Sequence, residues 1–281
     1  MSLSGKTMII SGGSRGIGLE IALKAAADGA NVAIIAKTDQ PHPKLEGTIH
    51  TAAAAIEEAG GTALPILGDI RDEDRVAAAV AEAVERFGGI DICVNNASAI
   101  NISGTLETPM KRYDLMQDIN ARGTFVLSQA CIPHLKEAEN PHVLTLSPPL
   151  SIEPRWAQHH VAYTIAKYGM SLCTLGMSAE FAGDGIAFSS LWPRTIAATG
   201  AVQNLLGGAE AMKRARTPAV YADAAYAILN RPGRECTGNF YLCEDVLVEE
   251  GVTDFSIYSA VEGADPQVDL YVDEVNPPGI G

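Results

Sequence analysis

Short apolar runs alternate with helical stretches along this chain, and the alternation predicts its fold. Runs typical of buried strands occupy residues 6–11, 31–36, 62–67, 90–94, 142–146, 186–191 and 239–242. Helices are predicted at 17–27, 49–59, 72–87, 110–135, 156–180 and 217–229, and Pro133 is expected to break the far end of the fourth. Residues 192–217 show no strand pattern. Six alternations without a change in composition predict an α/β fold, with one doubly wound, mostly parallel seven-stranded sheet and helices on both faces.

Charge is unevenly distributed along the 281 residues. The net charge is −14, but residues 244–281 hold ten acidic and no basic residues, so the rest carries −4 (24 acidic, 20 basic). We therefore predict a main domain over 1–245 and an acidic C-terminal extension over 246–281, packed on the domain or trailing from it, and favour a solvated edge for the acidic residues. No basic stripe offers a nucleic-acid site.

Other compositional features concern location and metals. No apolar run reaches the length of about 18 residues that spans a bilayer, and no secretory leader precedes the first strand. We expect a cytoplasmic protein without a membrane partner. Five scattered cysteines and the neighbours His159 and His160 lack the spacing of a metal site, so no metal is expected.

A glycine-rich turn follows the first strand. It runs through Ser11, Gly12, Gly13, Ser14, Arg15, Gly16, Ile17 and Gly18. Glycines here allow a sharp turn and the close approach of a ligand, and the N–H groups that begin the next helix favour an anion such as a pyrophosphate. A plain turn remains open from this stretch alone, but the surrounding strand, helix and strand favour a dinucleotide-binding Rossmann domain.

A charged, proline-rich connection spans residues 37–47. It is longer than an ordinary loop between strand and helix, and it lies where the adenosine end of a dinucleotide would rest. Whether it is a cofactor flap or a simple insertion stays open.

Tyr163 and Lys167 are four residues apart on a predicted helix, so they share a face. An ammonium near a phenol favours the phenolate, which predicts a lowered pKa for Tyr163 and a proton exchange with a substrate hydroxyl or carbonyl.

These features together resemble the short-chain dehydrogenase/reductase family over residues 5–245. The resemblance rests on Ser11 to Gly18, Asp69-Ile70, Asn95-Asn96-Ala97, Asn120, Tyr163-Thr-Ile-Ala-Lys167 and Pro193. Within the family, the chain is similar to the hydroxysteroid-dehydrogenase-like branch through residues 40–44, 96–100, 146–149, 167–170 and 191–193. Animal members of that branch carry a sterol-carrier domain, which we do not expect in a chain of this length.

The resemblance implies roles for individual residues. Tyr163 would be the general acid or base, Lys167 would hold the nicotinamide ribose and tune Tyr163, and Asn120 would fix a water that relays protons. On the cofactor, Asp69 with Ile70 would contact the adenine, Asn96 and Ala97 would line the floor, and residues 193–199, with Pro193, Thr195 and Ile196, would cover the nicotinamide carboxamide.

Two positions depart from the family pattern. The usual catalytic serine is Pro148 here, so Ser147 takes the role, which we favour, or Ser151 does, or the function is absent. Arg194 replaces a glycine, and it either binds an acidic substrate group or faces solvent.

The residues near the second strand bear on cofactor choice. Asp39 has nearly the spacing of an acidic residue that selects NAD, but it falls beyond the strand end, where Lys37 stands. Lys37 and Arg15 suit a 2′-phosphate, so NADP is expected and NAD is the less favoured cofactor.

The resulting expectation is an NADP-dependent oxidoreductase that interconverts a secondary alcohol and a carbonyl on a small apolar substrate, fatty-acyl or steroid-like. The alternative is a non-catalytic NADP sensor or scaffold. Trp156, Trp192 and Ile152 are either substrate walls or core residues. Small and apolar residues lie on more than one face of the helix that carries Tyr163, so another subunit is expected to cover part of it; they are Ala166, Gly169, Met170, Cys173, Gly176 and Met177. The family resemblance implies a homodimer or homotetramer built on that helix.

Overall fold

Seven parallel strands form one sheet in the computed structural model, which describes residues 1–41 and 46–277. The strands are β1 (Thr7–Ser11), β2 (Asn31–Ala36), β3 (Thr62–Leu67), β4 (Ile92–Asn95), β5 (His142–Thr145), β6 (Ala187–Trp192) and β7 (Asn239–Leu242). Their order is β3-β2-β1-β4-β5-β6-β7. The predicted doubly wound α/β fold is confirmed, and the sheet is parallel throughout.

Ten α-helices connect and cover these strands in the described part of the chain. They are α1 (Gly16–Ala27), α2 (Ile49–Glu58), α3 (Glu73–Phe87), α4 (Met110–Met116), α5 (Gly123–Leu135), α6 (Val161–Glu180), α7 (Gly200–Leu205), α8 (Gly208–Lys213), α9 (Ala219–Leu229) and α10 (Cys243–Glu249). A π-helical turn, Gln117–Arg122, joins α4 to α5.

Alternation along the strands divides the core into two layers. Met8 and Ile10 of β1 pack with α1, α2, α9 and α10, whereas Ile9 between them packs with α3 and α5. Successive side chains of a strand point to opposite faces, so an apolar run is buried on both. Helices cover both faces of the sheet, so a ligand is expected at the edge formed by the carboxyl ends of the strands.

Two sequence predictions about helices were wrong in detail. Pro133 does not end α5 at its own position, because the helix continues through it to Leu135. The fifth predicted helix, expected from residue 156, begins at Val161, after a separate 3-10 turn at Pro154–Trp156. Residues 192–217 include the short helices α7 and α8.

The acidic C-terminal part packs closely on the domain. The predicted limit at residue 245 falls inside α10, and Glu244 is fully buried. Its carboxylate pairs with buried Arg216, so the interpretation as a solvated edge is wrong at this residue. Further on, Val268 forms an antiparallel bridge with Thr195. Among residues 1–41 and 46–277, no helix combines the length and hydropathy that crossing a membrane requires.

Candidate active site

The glycine turn between β1 and α1 is tied to the end of β4. Asn96 donates its side-chain N–H to the carbonyls of Ser11 (2.9 Å) and Gly12 (3.0 Å), and the Ser11 hydroxyl accepts the backbone N–H groups of Asn96 and Ala97 (both 3.1 Å). A Cβ on Gly18 would lie 2.5 Å from Asn96 Nδ2. The glycine at 18 therefore permits the packing that holds the turn in place.

A cleft of about 830 Å³ opens beside this turn. Ten predicted cofactor-binding residues line it: Gly12, Ser14, Arg15, Gly16, Ile17, Lys37, Asp69, Ile70, Asn96 and Ala97. No side chain caps the N-terminus of α1, so its N–H groups remain for an anion. A Cβ on Gly16 would meet only Thr199, at 3.8 Å. The turn therefore fits the phosphate portion of a dinucleotide.

Charged side chains gather at the far end of the cleft. Asp69 accepts bonds from the Arg71 guanidinium at 2.6 to 3.1 Å, which holds the pKa of Asp69 down at about 2, and Lys37 Nζ lies 3.6 Å away. Arg15 donates to the carbonyls of Glu46 (2.8 Å) and Gly47 (2.7 Å). The end of the 37–47 connection thus contacts the glycine turn, while its residues His42, Pro43 and Lys44 lie outside the described residues.

Tyr163 and Lys167 lie on α6, and both are 4% exposed. Lys167 Nζ donates to the Leu146 carbonyl at 2.8 Å and lies 5.2 Å from the centre of the Trp192 ring. Burial lowers the pKa of Lys167 to about 7, and burial raises the pKa of Tyr163 well above its usual value. The lowered tyrosine pKa expected from the sequence is therefore wrong for the chain alone, because desolvation disfavours the charged phenolate.

Asn120 lies in the π-helical turn and is completely buried. Its Oδ1 accepts the N–H of Ala99 (2.7 Å), and its Nδ2 donates to the carbonyl of the same residue (3.0 Å). The side chain therefore fixes the loop after β4 by two hydrogen bonds.

The two serine candidates form bonds away from Tyr163. The Ser147 hydroxyl is buried and lies 2.9 Å from that of Ser190 on β6. Ser151 accepts the N–H of Glu153 at 3.2 Å within its own loop. The structure brings neither hydroxyl into a bond with Tyr163.

The segment after β6 is held by the C-terminal part of the chain. Thr195 donates its hydroxyl to Glu244 (3.2 Å), the Ile196 N–H donates to the Gln267 carbonyl (3.1 Å), and Arg216 donates its N–H to the Ile196 carbonyl (3.0 Å). Thr195 and Ile196 therefore lie outside the open cleft.

Arg194, which follows Pro193, takes neither of its predicted roles. Its guanidinium binds Asp245 through two bonds (2.8 and 3.0 Å), and its side chain is 12% exposed.

The structure also separates the three candidate wall residues. Trp192 is buried, Trp156 is half-buried, and Ile152 is fully exposed. Only the two tryptophans contact the cluster around Tyr163.

Comparisons with known proteins agree with this geometry. The family model described as short chain dehydrogenase matches residues 6–208. The chain belongs to the short chain dehydrogenase family. It is 57% identical to hydroxysteroid dehydrogenase-like protein 2 of Danio rerio over 271 residues, and 53% identical to that of Homo sapiens over 272. The matches cover 96% and 97% of this chain but 65% and 64% of the relatives, so the chain spans less than two thirds of their length.

Solved structures show the same relationship. A short chain dehydrogenase of Mycobacterium thermoresistibile has a TM-score of 0.94 and 64% identity, with 99% of both chains covered. A putative dehydrogenase of Xanthomonas campestris has a TM-score of 0.95 and 55% identity, covering 98% of this chain and all of the other. Together with the curated relatives, these place the chain in the hydroxysteroid-dehydrogenase-like branch of the family, which binds NAD(P).

Two charged residues of the candidate site, Arg71 and Asp269, were not predicted from the sequence. Arg71 follows Asp69 by two positions, and a basic residue so near an acidic one could have indicated the pair. Asp269 acts electrostatically on both Tyr163 and Lys167. The acidic C-terminal part gave no signal that one of its carboxylates lies near the site.

Proposed function

We propose that this chain is an NADP-dependent oxidoreductase that interconverts a secondary alcohol and a carbonyl on a small apolar substrate. The observation that carries the proposal is the pair of buried residues Tyr163 and Lys167 on α6, in a chain whose glycine turn opens into a dinucleotide-sized cleft. A phenol and an amine on one helical face can pass a proton to or from a substrate oxygen.

The roles divide between the two parts of the site. The turn from Gly12 to Ile17 would hold the pyrophosphate at the N-terminus of α1, and Asn96 and Ala97 would line the floor. When bound, the nicotinamide supplies the hydride. Tyr163 would donate or accept the proton at the substrate oxygen, and an ammonium on Lys167 would favour the ionised phenol.

Charge near the end of β2 supports NADP over NAD. Lys37 follows the strand with a 55% exposed side chain, and Arg15 lines the same cleft. Because phosphate oxygens form strong bonds with such cations, a 2′-phosphate gains contacts that a ribose hydroxyl lacks.

The cofactor proposal is tested by calorimetry with NADPH and NADH. Lys37→Ala is expected to weaken NADPH binding by about tenfold or more and to leave NADH nearly unchanged. The control is Lys24→Ala, which removes a lysine that pairs with Asp223 on α9. Equal losses of affinity for NADPH and NADH in Lys37→Ala would contradict the NADP preference.

One observation favours the second candidate, a non-catalytic NADP sensor or scaffold. The hydroxyls of Ser147 and Ser151 are bonded elsewhere, so the substrate oxygen has no evident serine partner in the described site. A panel of ketones and aldehydes with NADPH, followed at the nicotinamide absorbance, separates the two. Turnover of any carbonyl supports the enzyme, whereas tight binding without turnover across the panel supports the sensor.

Self-association is proposed through an apolar stripe on α6 and α5. The exposed residues are Val161, Ile165, Leu172 and Leu175 with Phe125. Most residues that the sequence suggested are instead covered by the chain itself: Ala166, Met170 and Met177 are buried, and Gly169 faces Ala121. Leu172→Glu should lower the mass measured by light scattering to that of a monomer, and Ile257→Glu should not. An unchanged mass in Leu172→Glu would contradict this interface.

The cysteines support a cytoplasmic location. All five are free thiols, and four are buried. Thiols of this kind suit a reducing compartment.

A further inference from the structure

The C-terminal segment, residues 267–273, lies against the end of β6 and the residues that follow it. Asp269 donates its N–H to the Arg194 carbonyl (2.9 Å), the Ile196 N–H donates to Gln267 (3.1 Å), and Trp192 Nε1 donates to the Leu270 carbonyl (2.8 Å). These bonds attach the segment to the residues that follow β6. The segment is thereby held at the carboxyl edge of the sheet, where ligands of such folds bind.

Tyr271 of this segment is buried among aromatic side chains of the domain. Four rings surround it, with centroids 5.5 to 6.3 Å away: Tyr168, His160, Trp192 and Trp156. Its hydroxyl lies 3.1 Å from that of Thr164 on α6. The ring is 6% exposed, so it fills the space among these groups.

The catalytic candidate lies in the same apolar cluster. Tyr163 packs there with Tyr271, Val272 and Trp192, and Tyr163 itself is only 4% exposed. A substrate oxygen must come within hydrogen-bond reach of the Tyr163 hydroxyl. The hydrocarbon attached to that oxygen then competes for the space that Tyr271 occupies.

The backbone of Tyr271 is unusual in the same place. Its φ of 69° makes it the one non-glycine residue with a positive φ in the described chain. A bulky residue in this conformation costs free energy, and such strain collects at ligand clamps and switch regions. Glycine would adopt this φ without strain.

We propose that Tyr271 is the specificity-determining residue that sets how large a substrate reaches Tyr163. This inference rests on the proposed oxidoreductase function and names its substrate class. The surrounding Trp156, Trp192, Tyr168 and Leu270 fit an apolar ketone or secondary alcohol, whose hydrocarbon part takes the position of the Tyr271 ring.

The test compares kcat/KM for 2-butanone and 2-decanone in three proteins. Tyr271→Gly removes the ring and relieves the strain. It is expected to raise the ratio of kcat/KM for 2-decanone to kcat/KM for 2-butanone by about tenfold or more. Tyr271→Phe retains the ring and loses only the bond to Thr164, so its ratio should stay near that of the wild type. A loss of structure alone would lower kcat/KM for both substrates together and leave their ratio unchanged. An unchanged ratio in Tyr271→Gly would overturn the proposal.

A second readout separates failure of this inference from failure of the proposed function. Should the wild type reduce no carbonyl, binding of 2-decanone is measured by quenching of tryptophan fluorescence. Tighter binding to Tyr271→Gly than to the wild type and Tyr271→Phe supports the size limit, and equal binding overturns it. Tyr271→Leu replaces the glycine variant in both measurements if that variant does not fold.

Discussion

At the residue scale, the proton chemistry of the site depends on burial. Lys167 has its ammonium bound to a carbonyl at 2.8 Å and no carboxylate within ion-pair distance in the described chain, and burial lowers its pKa to about 7. Tyr163 is buried beside it, and its pKa is raised. In the chain alone, the amine thus changes protonation near neutral pH, and so does the buried Asp269 carboxyl, whose pKa burial raises to about 7. The phenol stays protonated, ready to donate to a carbonyl.

Lys167→Met should change how stability depends on pH. Between about pH 7 and 10 the unfolded chain holds a proton on Lys167 that the folded chain has lost, so the free energy of unfolding of the wild type rises with pH in this range. From pH 7 to 9 the wild type should gain about 2 kcal/mol relative to Lys167→Met. Urea unfolding at pH 7, 8 and 9 measures this.

The control for that experiment is Lys24→Met, which removes an exposed lysine. Its stability should run parallel to that of the wild type across the same range. If the free energy of unfolding of Lys167→Met also changes with pH in parallel with that of the wild type, the lowered pKa of Lys167 is contradicted.

The catalytic pair could be predicted from spacing, but its environment could not. Tyr163 and Lys167 are four positions apart, which is enough to put them on one face of α6. Their pKa values depend on burial first and then on Tyr271 and Asp269, which lie more than 100 residues further along the chain. No local pattern shows which of those groups covers a side chain, so the direction predicted for Tyr163 was wrong.

At the element scale, the glycine turn joins β1 and α1 to the end of β4. Its glycines serve two different purposes. Gly18 makes room for Asn96, whereas Gly16 has a positive φ of 57° and borders the open cleft. The sequence identified both glycines as part of the turn. It could not show that Gly18 is needed for packing whereas Gly16 faces the cleft.

Alanine at these two positions should therefore give different results. Gly18→Ala puts a Cβ 2.5 Å from Asn96 Nδ2 and 2.8 Å from the Gly12 carbonyl, so it should cost more than about 2 kcal/mol of stability. Gly16→Ala should cost about 1 kcal/mol through its φ, yet weaken NADPH binding. Thermal unfolding and calorimetry measure the two effects, and equal losses of stability would contradict this assignment.

The π-helical turn is a feature that the helical periodicity of the sequence did not reveal. The stretch from Met110 to Leu135 was predicted as one helix, and it is continuous, but its middle turn widens at Gln117–Arg122. That turn carries Asn120, whose two bonds to Ala99 hold the loop after β4. π-turns often occur at functional sites.

At the scale of the whole molecule, the C-terminal part is joined to the domain by buried charges. Glu244 on α10 pairs with Arg216, accepts the Thr195 hydroxyl at 3.2 Å and accepts the Arg194 N–H at 2.7 Å. Arg216 also donates to the Val275 carbonyl and the Asn276 side chain. Sequence composition could show the acidic excess but not its partners, because the arginines lie up to 50 residues earlier.

Removing the buried charge should destabilise the protein far more than removing its exposed neighbour. Glu244→Gln leaves Arg216 buried without its carboxylate and should cost about 3 kcal/mol. Asp245→Asn breaks the pair with Arg194, where the carboxylate is 40% exposed, and should cost less than about 1 kcal/mol. Urea unfolding compares the two variants, and similar costs would contradict the role given to Glu244.

The most direct measurement on the proposed function is the effect of Tyr163→Phe on NADPH binding and on carbonyl reduction in the same preparation. The substitution should leave the NADPH affinity unchanged, because the phenol lies outside the cleft of the glycine turn, and should lower turnover by about 10³-fold, because the proton donor is lost. Turnover that survives the substitution would contradict the assignment of Tyr163 as the proton donor.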